Sequence, residues 1–332
     1  MELAQIELLK IAEGFCDAHV LFALNRLGIF DAVAGGAKTA AEIGQAVGVR
    51  EEPLARLLYA GAAIRVLVNE HGRFSPGPFA GPLLDRKAAG YLGNWLRLLE
   101  RWATLFPELT ESVRRGRAAQ DPAAHLGADP AYTREFVAAM EDYARSRGRE
   151  VVDFLPLERA RRLLDLGGGS GTYSILLAQR WTELAITVLD LPQAAAMARA
   201  NVAAAGFGHR IEVRAADYHN DDLGSEWDVV FASDVLHQEG PDGCLRLLRR
   251  AHGALRPGGL LAVQGMFSGA ARTGQRWPAM HSLIMLLISE EGRAYSVDEL
   301  TAMIAECGFS ACRHVPMSLL NVNSLLLAER PA

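Results

Sequence analysis

The residues of this chain best suited to chemistry form a glycine-rich loop after a short apolar run. The run from Leu163 to Leu166 contains an acid at Asp165, and the loop from Gly167 to Thr172 contains four glycines. Glycine has no Cβ atom, so this turn can adopt positive φ and a ligand can lie against the main chain. The pattern predicts a buried strand, a sharp ligand-binding turn and the start of a helix, with contacts from Gly167, Gly169 and Gly171.

The spacing of the loop separates three ligand classes. A phosphate-binding loop would place a lysine after the last glycine, whereas Gly171 is followed by Thr172. A dinucleotide-binding fingerprint would need a glycine at the position of Thr172. Asp165 would repel a pyrophosphate but attract an ammonium or sulfonium group. S-adenosylmethionine carries both groups and no phosphate, so the loop favours it. A turn that uses its glycines only for close packing is the alternative.

Two more acids close the next two predicted strands. The strand from Ala185 ends at Asp190, whose carboxylate can accept hydrogen bonds from the hydroxyls of a ribose. A carboxylate at the equivalent position has the same role in nicotinamide-binding enzymes. The strand from Ile211 is followed by Asp217 and Tyr218, which suit the exocyclic amine and the ring of adenine. Three acids that close successive strands therefore predict a site for an adenosyl cofactor.

The remaining elements predict the fold that positions these acids. Strands at Trp227 to Ala232 and Leu260 to Gln264 flank an amphipathic helix from Leu245 to Leu255. Apolar runs around 312–315 and 324–328 can pair as an antiparallel edge. We expect an α/β protein with a Rossmann-like, doubly wound sheet and an antiparallel edge strand, preceded by a mostly α-helical N-terminal domain.

The N-terminal part has the pattern of a winged helix. A capping box at Thr39 and Glu42 begins one helix, Glu51 begins a second helix through Tyr59, and a strand pair follows around a turn at 70–73. A winged helix is also typical of DNA-binding regulators. The net charge of −5 and the acids that open the second helix argue against a nucleic-acid partner, because no basic stripe is present to neutralise phosphates.

Five motifs follow one another in the C-terminal half. They are Leu-Asp-x-Gly-Gly-Gly-Ser-Gly from Leu164, Val-Leu-Asp-Leu-Pro from Val188, Ala-Asp-Tyr from Ala216, Val-Leu-His from Val235 and Leu-Arg-Pro-Gly-Gly from Leu255. The series resembles the small-molecule O-methyltransferases that use S-adenosylmethionine, in the plant and bacterial natural-product branch with an N-terminal dimerisation domain. The resemblance implies a homodimer, a winged-helix dimerisation domain at 1–90, connecting helices at 91–154 and a methyltransferase domain at 155–332. It also implies S-adenosylhomocysteine as product and further cofactor contacts from Leu191 and Ser233.

By this resemblance His237 is the candidate general base, because it follows the fourth strand and aligns with the histidine of the family's His-Asp-Trp motif. Here the next residues are Gln238 and Glu239. Relatives brace this histidine with two glutamates, and the aligned positions are Gln264 and Ala294. A histidine without a carboxylate partner is less basic and less firmly oriented. The acids that could substitute are Glu239, Glu290 and Glu291.

The resemblance also implies a pocket for the acceptor molecule. The matching positions are Met140, Tyr143, Phe267, Met280, Met285 and Asn323. Methionine suits flat aromatic molecules, although methionine at helical spacing is also an ordinary core residue. We expect methylation of a phenolic or similar hydroxyl on a small natural product. Transfer to carbon, nitrogen or sulfur, and a non-catalytic regulator or binding protein, stay open as alternatives.

Length and composition set the context for these assignments. A chain of 332 residues, 50% of them hydrophobic, is long enough for two domains with sizeable cores. It shows no secretory signal or membrane-spanning run, and its four cysteines lack metal-ligand spacing. We therefore expect a cytoplasmic enzyme with reduced thiols and without a bound metal or a membrane partner.

Overall fold

The fold is described from a computed structural model, for residues 2–268, 276–318 and 322–332. The chain divides into two compact units, Met1–Ala103 and Thr104–Ala332. The finer division into three parts with a boundary at residue 90 stays a prediction.

The N-terminal unit combines helices with a small antiparallel sheet. Its helices are α1 (Glu2–Arg26), α2 (Ile29–Val33), α3 (Ala40–Val47), α4 (Glu51–Ala63), α5 (Gly81–Leu84) and α6 (Gly93–Ala103). The strands β1 (Lys38–Thr39), β2 (Leu67–Glu70) and β3 (Arg73–Pro76) pair in the order β1-β3-β2. The predicted capping box is present, because Thr39 Oγ1 accepts from Glu42 N at 3.2 Å and the Glu42 carboxylate accepts from Thr39 N at 2.6 Å. The strand pair and its turn are present, and α4 runs four residues beyond its predicted end.

Helix α1 buries one half and exposes the other. Leu24 is fully buried and approaches α4 so closely that a Cβ on Gly61 would lie 2.7 Å from Leu24 Cδ1. The exposed large apolar side chains lie upstream, from Leu3 to Phe15. The second half of α1, with Phe22, is buried, so the exposed apolar surface of this helix lies in its first half.

The C-terminal unit is built on a seven-stranded sheet. Its strands are β4 (Arg162–Leu166), β5 (Ala185–Asp190), β6 (Ile211–Ala215), β7 (Trp227–Ser233), β8 (Leu255–Gly265), β9 (Ser310–Pro316) and β10 (Ser324–Glu329). They are ordered β6-β5-β4-β7-β8-β10-β9. The first five pair in parallel, and β10 is antiparallel to both β8 and β9. The Rossmann-like fold and its antiparallel edge are confirmed.

Helices cover both faces of this sheet. They are α7 (Leu109–Arg115), α8 (Pro130–Asp153), α9 (Thr172–Arg180), α10 (Pro192–Ala204), α11 (Pro241–Ala254), α12 (Arg276–Ile288) and α13 (Val297–Glu306). Successive residues of β4 point to opposite faces: Leu163 joins a core shared with α8, α9 and α10, and Leu164 joins one shared with α11 and α13. Because both faces are buried, ligands reach the sheet at the carboxyl ends of its parallel strands.

Local details of two predicted elements differ from the structure. Within the connecting helices predicted at 91–154, a 3-10 turn at Phe106–Glu108 separates α6 from α7, since Pro107 cannot donate the hydrogen bond that a continuous helix needs. A π-helical turn at Ala124–Ala128 lies between α7 and α8. Strand β8 begins at Leu255, before the predicted strand start at Leu260, and its pairing with β7 shifts register there.

Helix termini at the site follow the sequence signals. Asp129 caps α8, because its Oδ1 accepts from Ala131 N at 2.9 Å and from Tyr132 N at 3.1 Å. Ser296 and Glu299 form the capping box of α13. No helix in the described ranges has the length and apolar character to cross a membrane.

Candidate active site

A cavity of about 280 Å³ opens at the carboxyl edge of the sheet, between the glycine loop and α8. It brings together most of the residues that the sequence singled out for the cofactor, the proton and the acceptor. Its walls include Asp165, Gly167, Gly169, Asp190, Leu191, Asp217, Tyr218, Ser233, His237, Met140 and Tyr143. Residues scattered over about a hundred positions of the sequence therefore share one cavity.

The glycine loop lies so close to its neighbours that side chains would not fit at its start. Gly167 has φ of 70°, and a Cβ there would lie 2.8 Å from Val235 Cγ2. Gly169 has φ of 54° and open space around it, and its backbone N donates to Asp190 Oδ2 at 2.7 Å. Gly171 precedes α9, and a Cβ there would contact Ala198 of α10 at 3.5 Å, so this glycine faces a helix.

Asp165 is completely buried at the end of β4. Its Oδ2 accepts from Ser174 Oγ at 2.6 Å, and its Oδ1 has no hydrogen-bond partner in the described part of the chain. Burial raises the pKa of this carboxyl to about 7, opposed by the Ser174 hydroxyl and aided by the nearby charge of Asp190. A buried acceptor without a partner is unfavourable, so Asp165 fits a ligand that brings a donor or a positive charge.

Two backbone hydrogen bonds hold the carboxylate of Asp190 at the end of β5. Its Oδ1 accepts from Leu191 N at 2.7 Å, and its Oδ2 accepts from the glycine loop at Gly169. Burial raises the pKa of this carboxyl, while the two backbone donors lower it. Each carboxylate oxygen has a second acceptor position, so the side chain can anchor the loop and still accept ligand hydroxyls.

Asp217 and Tyr218 form the wall beyond β6. Asp217 Oδ1 accepts from His219 N at 2.8 Å, and its Oδ2 accepts from Asn220 Nδ2 at 2.7 Å. Burial, and then the charge of Glu239, raises the pKa of the Tyr218 hydroxyl, which keeps that ring neutral. The pair presents a carboxylate and a neutral aromatic ring to the cavity.

His237 lies in a 3-10 turn, Leu236–Gln238, just beyond β7. Its Nδ1 is 3.8 Å from Asp234 Oδ1, and both side chains are largely buried, at 15% and 16% exposure. The ring meets His281 of α12 edge to face, with centroids 4.6 Å apart. Burial raises the pKa of Asp234 to about 7, opposed by the side chain of Gln264. Two ionisable side chains thus surround a histidine that faces the cavity.

Of the acids proposed from sequence as partners of His237, Glu239 contacts a different histidine. Glu239 Oε1 is 3.1 Å from His219 Nε2. Glu291 packs against Gly240, where a Cβ would lie 2.2 Å from Glu291 Oε2, and Glu290 is exposed. Gln264 accepts a close hydrogen bond from the Ser233 hydroxyl. Asp234 was missed, although its place three residues before His237 and directly after a strand was a usable signal.

The acceptor side of the cavity is formed by α8. Met140 and Tyr143 line it as expected, and Tyr143 OH donates to Asn323 Oδ1 at 3.1 Å. Phe136 and Val137 also line it and were missed, although Phe136, Met140 and Tyr143 have the i, i+4, i+7 spacing of one helix face.

The other four expected acceptor residues are not part of this lining, as far as the described residues show, and Asn323 contacts it through the Tyr143 hydroxyl. Phe267 lines a smaller cavity of about 10 Å³ behind His237. Met285 is buried, and a Cβ on Gly292 would lie 2.7 Å from its Cε, while Met280 is half-buried on α12. Their contact with an acceptor stays a prediction.

The fold and the site define a Rossmann-like methyltransferase with S-adenosylmethionine as its cofactor. A sequence model of the O-methyltransferase domain matches residues 108–310, and one of the O-methyltransferase dimerisation domain matches residues 9–85. The chain belongs to this O-methyltransferase family, and its dimerisation domain supports a homodimer.

Individual relatives extend over nearly the whole chain. A 3-hydroxy-5-methyl-1-naphthoate 3-O-methyltransferase from Streptomyces sahachiroi is 28% identical, over 96% of this chain and 93% of that protein. Acetylserotonin O-methyltransferase from Mus musculus is 31% identical, over 92% and 84%. The structure of human N-acetylserotonin methyltransferase in complex with SAM superposes with a TM-score of 0.91 at 23% identity, covering 99% of this chain and 98% of that one.

The residues at the cavity fit this cofactor on physical grounds. The loop lacks side chains where a ligand must approach the backbone, and the orphaned oxygen of Asp165 needs a donor or a cation. The fixed carboxylate of Asp190 can accept ribose hydroxyls, and Tyr218 offers a neutral ring. Together they match a cationic adenosyl compound better than an anionic one.

Proposed function

We propose that this enzyme methylates a phenolic or similar hydroxyl of a small aromatic natural product, with His237 as general base. The observation that carries the proposal is the single cavity that joins the glycine loop to His237 and to the α8 face of Met140 and Tyr143.

The cofactor end of the cavity holds the methyl donor. S-adenosylmethionine supplies, when bound, an electrophilic methyl group on a sulfonium. Asp190 and the glycine loop would hold its ribose, Asp217 and Tyr218 its adenine, and Asp165 its positively charged end; Leu191 and Ser233 contribute further contacts. This arrangement places the positive charge of the donor toward the buried acids.

At the other end of the cavity, the acceptor molecule must be aligned with the methyl group and must lose the proton of its hydroxyl. A phenol with a pKa of about 10 is mostly protonated at neutral pH, so a base within hydrogen-bond reach assists its attack. His237 lies on the cavity wall, where it can take that proton. Met140 and Phe136 offer apolar surface that orients a flat ring and excludes water.

The naphthoate relative supports an aromatic acceptor. That protein acts on 3-hydroxy-5-methyl-1-naphthoate, a flat bicyclic phenol. The predominantly apolar face of α8 would accept such a ring. We therefore propose this naphthoate as the first probe, within a panel of phenols and naphthols.

Calorimetric titration with S-adenosylhomocysteine tests the cofactor site. We expect Asp190→Ala to weaken binding by about 100-fold or more, because two hydrogen bonds to a charged group contribute about 1.5–3 kcal/mol each. The control is Glu183→Ala, since Glu183 is exposed in the turn before β5. Wild-type protein that fails to bind would contradict the cofactor assignment.

A mass-spectrometric assay for a 14-Da gain, the mass of one added methylene, on the phenol panel tests the reaction. His237→Ala is expected to lose most activity and to lose the rise of rate with pH that a base produces. Unchanged activity and an unchanged pH profile would remove the role of His237. A methyl group found on carbon or nitrogen would replace the O-methyl proposal, and a shifted DNA fragment without any methyl transfer would favour a regulator.

We also propose a cytoplasmic location. Its support is that all four cysteines are free thiols, as expected in a reducing compartment. Fractionation of the producing cells with an antibody to the protein tests this location.

A further inference from the structure

We propose that Asp234 is a positioning residue that orients the ring of His237 and stabilises its protonated form, in place of a glutamate brace. The inference rests on the proposed role of His237 as base. Asp234 would take the role of the two bracing glutamates, whose aligned positions in this chain are Gln264 and Ala294.

The geometry supports a dedicated pair. Asp234 Oδ1 lies 3.8 Å from His237 Nδ1, and both residues line the main cavity. If Nδ1 is directed at the carboxylate, Nε2 is the nitrogen left for the acceptor, which is the orientation that a general base requires.

The backbone holds Asp234 in place. Asp234 N donates to Gln264 O at 2.9 Å, and its carbonyl accepts from Gln238 Nε2 at 3.3 Å. Its φ is 54°, in the left-handed region that Asp and Asn tolerate better than other residues with a side chain. The carboxyl group is therefore aimed by a fixed turn between β7 and the histidine.

Both side chains are largely buried, so bulk water screens the pair weakly. Behind His237 a cavity of only about 10 Å³ is lined by Asp234, Gln264 and Phe267. Asp234 Oδ1 has no hydrogen-bond partner in the described segments. In such an environment a carboxylate and an imidazolium interact more strongly than in water.

The charged and titratable neighbours leave this coupling intact. Tyr143 of α8 and Tyr173 of α9 approach Asp234, and burial raises the pKa of both hydroxyls, so they stay neutral near pH 7. Arg147 Nη1 donates a hydrogen bond to Tyr143 OH at 3.3 Å. His281 faces the ring of His237 from α12. Burial raises the pKa of Asp234 to about 7, so near neutral pH this carboxyl can carry the negative charge that would stabilise a protonated His237.

A histidine titration by NMR tests the coupling without an acceptor. We expect Asp234→Asn, with S-adenosylhomocysteine bound, to lower the pKa of His237 by about one unit or more, since the stabilising negative charge is lost. Asn keeps the shape and the left-handed backbone. His237→Gln and His219→Gln assign the two signals.

The matched control removes the carboxylate of Glu239, which contacts a second histidine at the cavity, His219. Glu239 Oε1 lies 3.1 Å from His219 Nε2. Glu239→Gln removes that carboxylate and should leave the titration of His237 in place. An unchanged His237 titration in a folded, cofactor-binding Asp234→Asn protein would overturn the proposal.

Kinetics with the naphthoate probe give a second readout. Asp234→Asn should lower kcat about tenfold or more, with the acid limb of the pH profile moved to lower pH and KM for the acceptor changed little. In a His237→Ala background the same substitution should have no further effect. Equal losses in both backgrounds would show that Asp234 acts independently of His237.

The two proposals fail in different ways. Absence of methyl transfer to every phenol, with cofactor binding intact, contradicts the proposed function. The NMR titration still measures the Asp234–His237 coupling in that case, and its outcome alone decides this inference.

Discussion

Two glycines of the cofactor loop are expected to respond differently to the same substitution. At Gly167, φ is 70° and an added Cβ would lie 2.8 Å from Val235 Cγ2. A left-handed backbone costs an alanine about 1–2 kcal/mol, and an extra buried methyl group costs about 1–3 kcal/mol. Gly167→Ala should therefore lower the free energy of unfolding by roughly 2–5 kcal/mol.

Gly169→Ala is the matched comparison. Its φ is 54° and an added Cβ would meet no atom within 4 Å, so only the backbone cost of about 1–2 kcal/mol applies to folding. The new methyl group would occupy the space beside the cavity that Gly169 lines. We therefore expect a smaller loss of stability but a large loss of affinity for S-adenosylhomocysteine.

Urea unfolding of the cofactor-free proteins, together with calorimetric titration of S-adenosylhomocysteine, separates the two effects. Equal losses of unfolding free energy in both variants would refute the close packing inferred at Gly167. Unchanged affinity in Gly169→Ala would mean that the cofactor does not lie against this part of the loop.

Two further outcomes follow from buried and capping groups. Burial raises the pKa of Asp165 to about 7, so ionising it opposes folding, and this group lowers stability as pH rises from about 4 to 7. Asp165→Asn removes this pH dependence of the unfolding free energy. In urea unfolding without cofactor, the variant should be more stable than wild type by about 2–4 kcal/mol at pH 8 but not at pH 4. A difference in stability that stays constant across pH would contradict the raised pKa. Ser296→Ala removes one bond of the α13 capping box and should cost about 1 kcal/mol in thermal unfolding, whereas no loss would show that the cap is dispensable.

Elements with a strong local signal were predictable from the sequence. The strands that carry Asp165 and Asp190 are short apolar runs followed by a glycine or a proline, and the capping boxes at Thr39 and Ser296 need only residues three apart. The edge at which the acids meet follows from parallel pairing, since the carboxyl ends of parallel strands lie together. Local pattern and topology sufficed for these predictions.

Contacts that depend on side-chain direction were not predictable. Glu239 stood two residues from His237 but turns to His219, while Asp234 reaches His237 because a left-handed turn redirects the chain after β7. The apolar stretch of α1 likewise gave no indication that Leu24 faces its own unit and Leu3 faces solvent. In each case tertiary packing decides which way the side chain points, and a single sequence does not reveal that packing.

The buried acids of the cavity connect stability with function. Burial raises the pKa of Asp165, Asp190 and Asp234 alike, so each resists ionisation in the folded chain. Acids in such positions are unfavourable for folding and are retained where a ligand or a catalytic group compensates them. A cationic donor would compensate Asp165 and Asp190, and an imidazolium at His237 would compensate Asp234 at the moment the acceptor loses its proton. The cost of folding these carboxylates is thus offset in two separate steps, first when the cofactor binds and then during proton transfer.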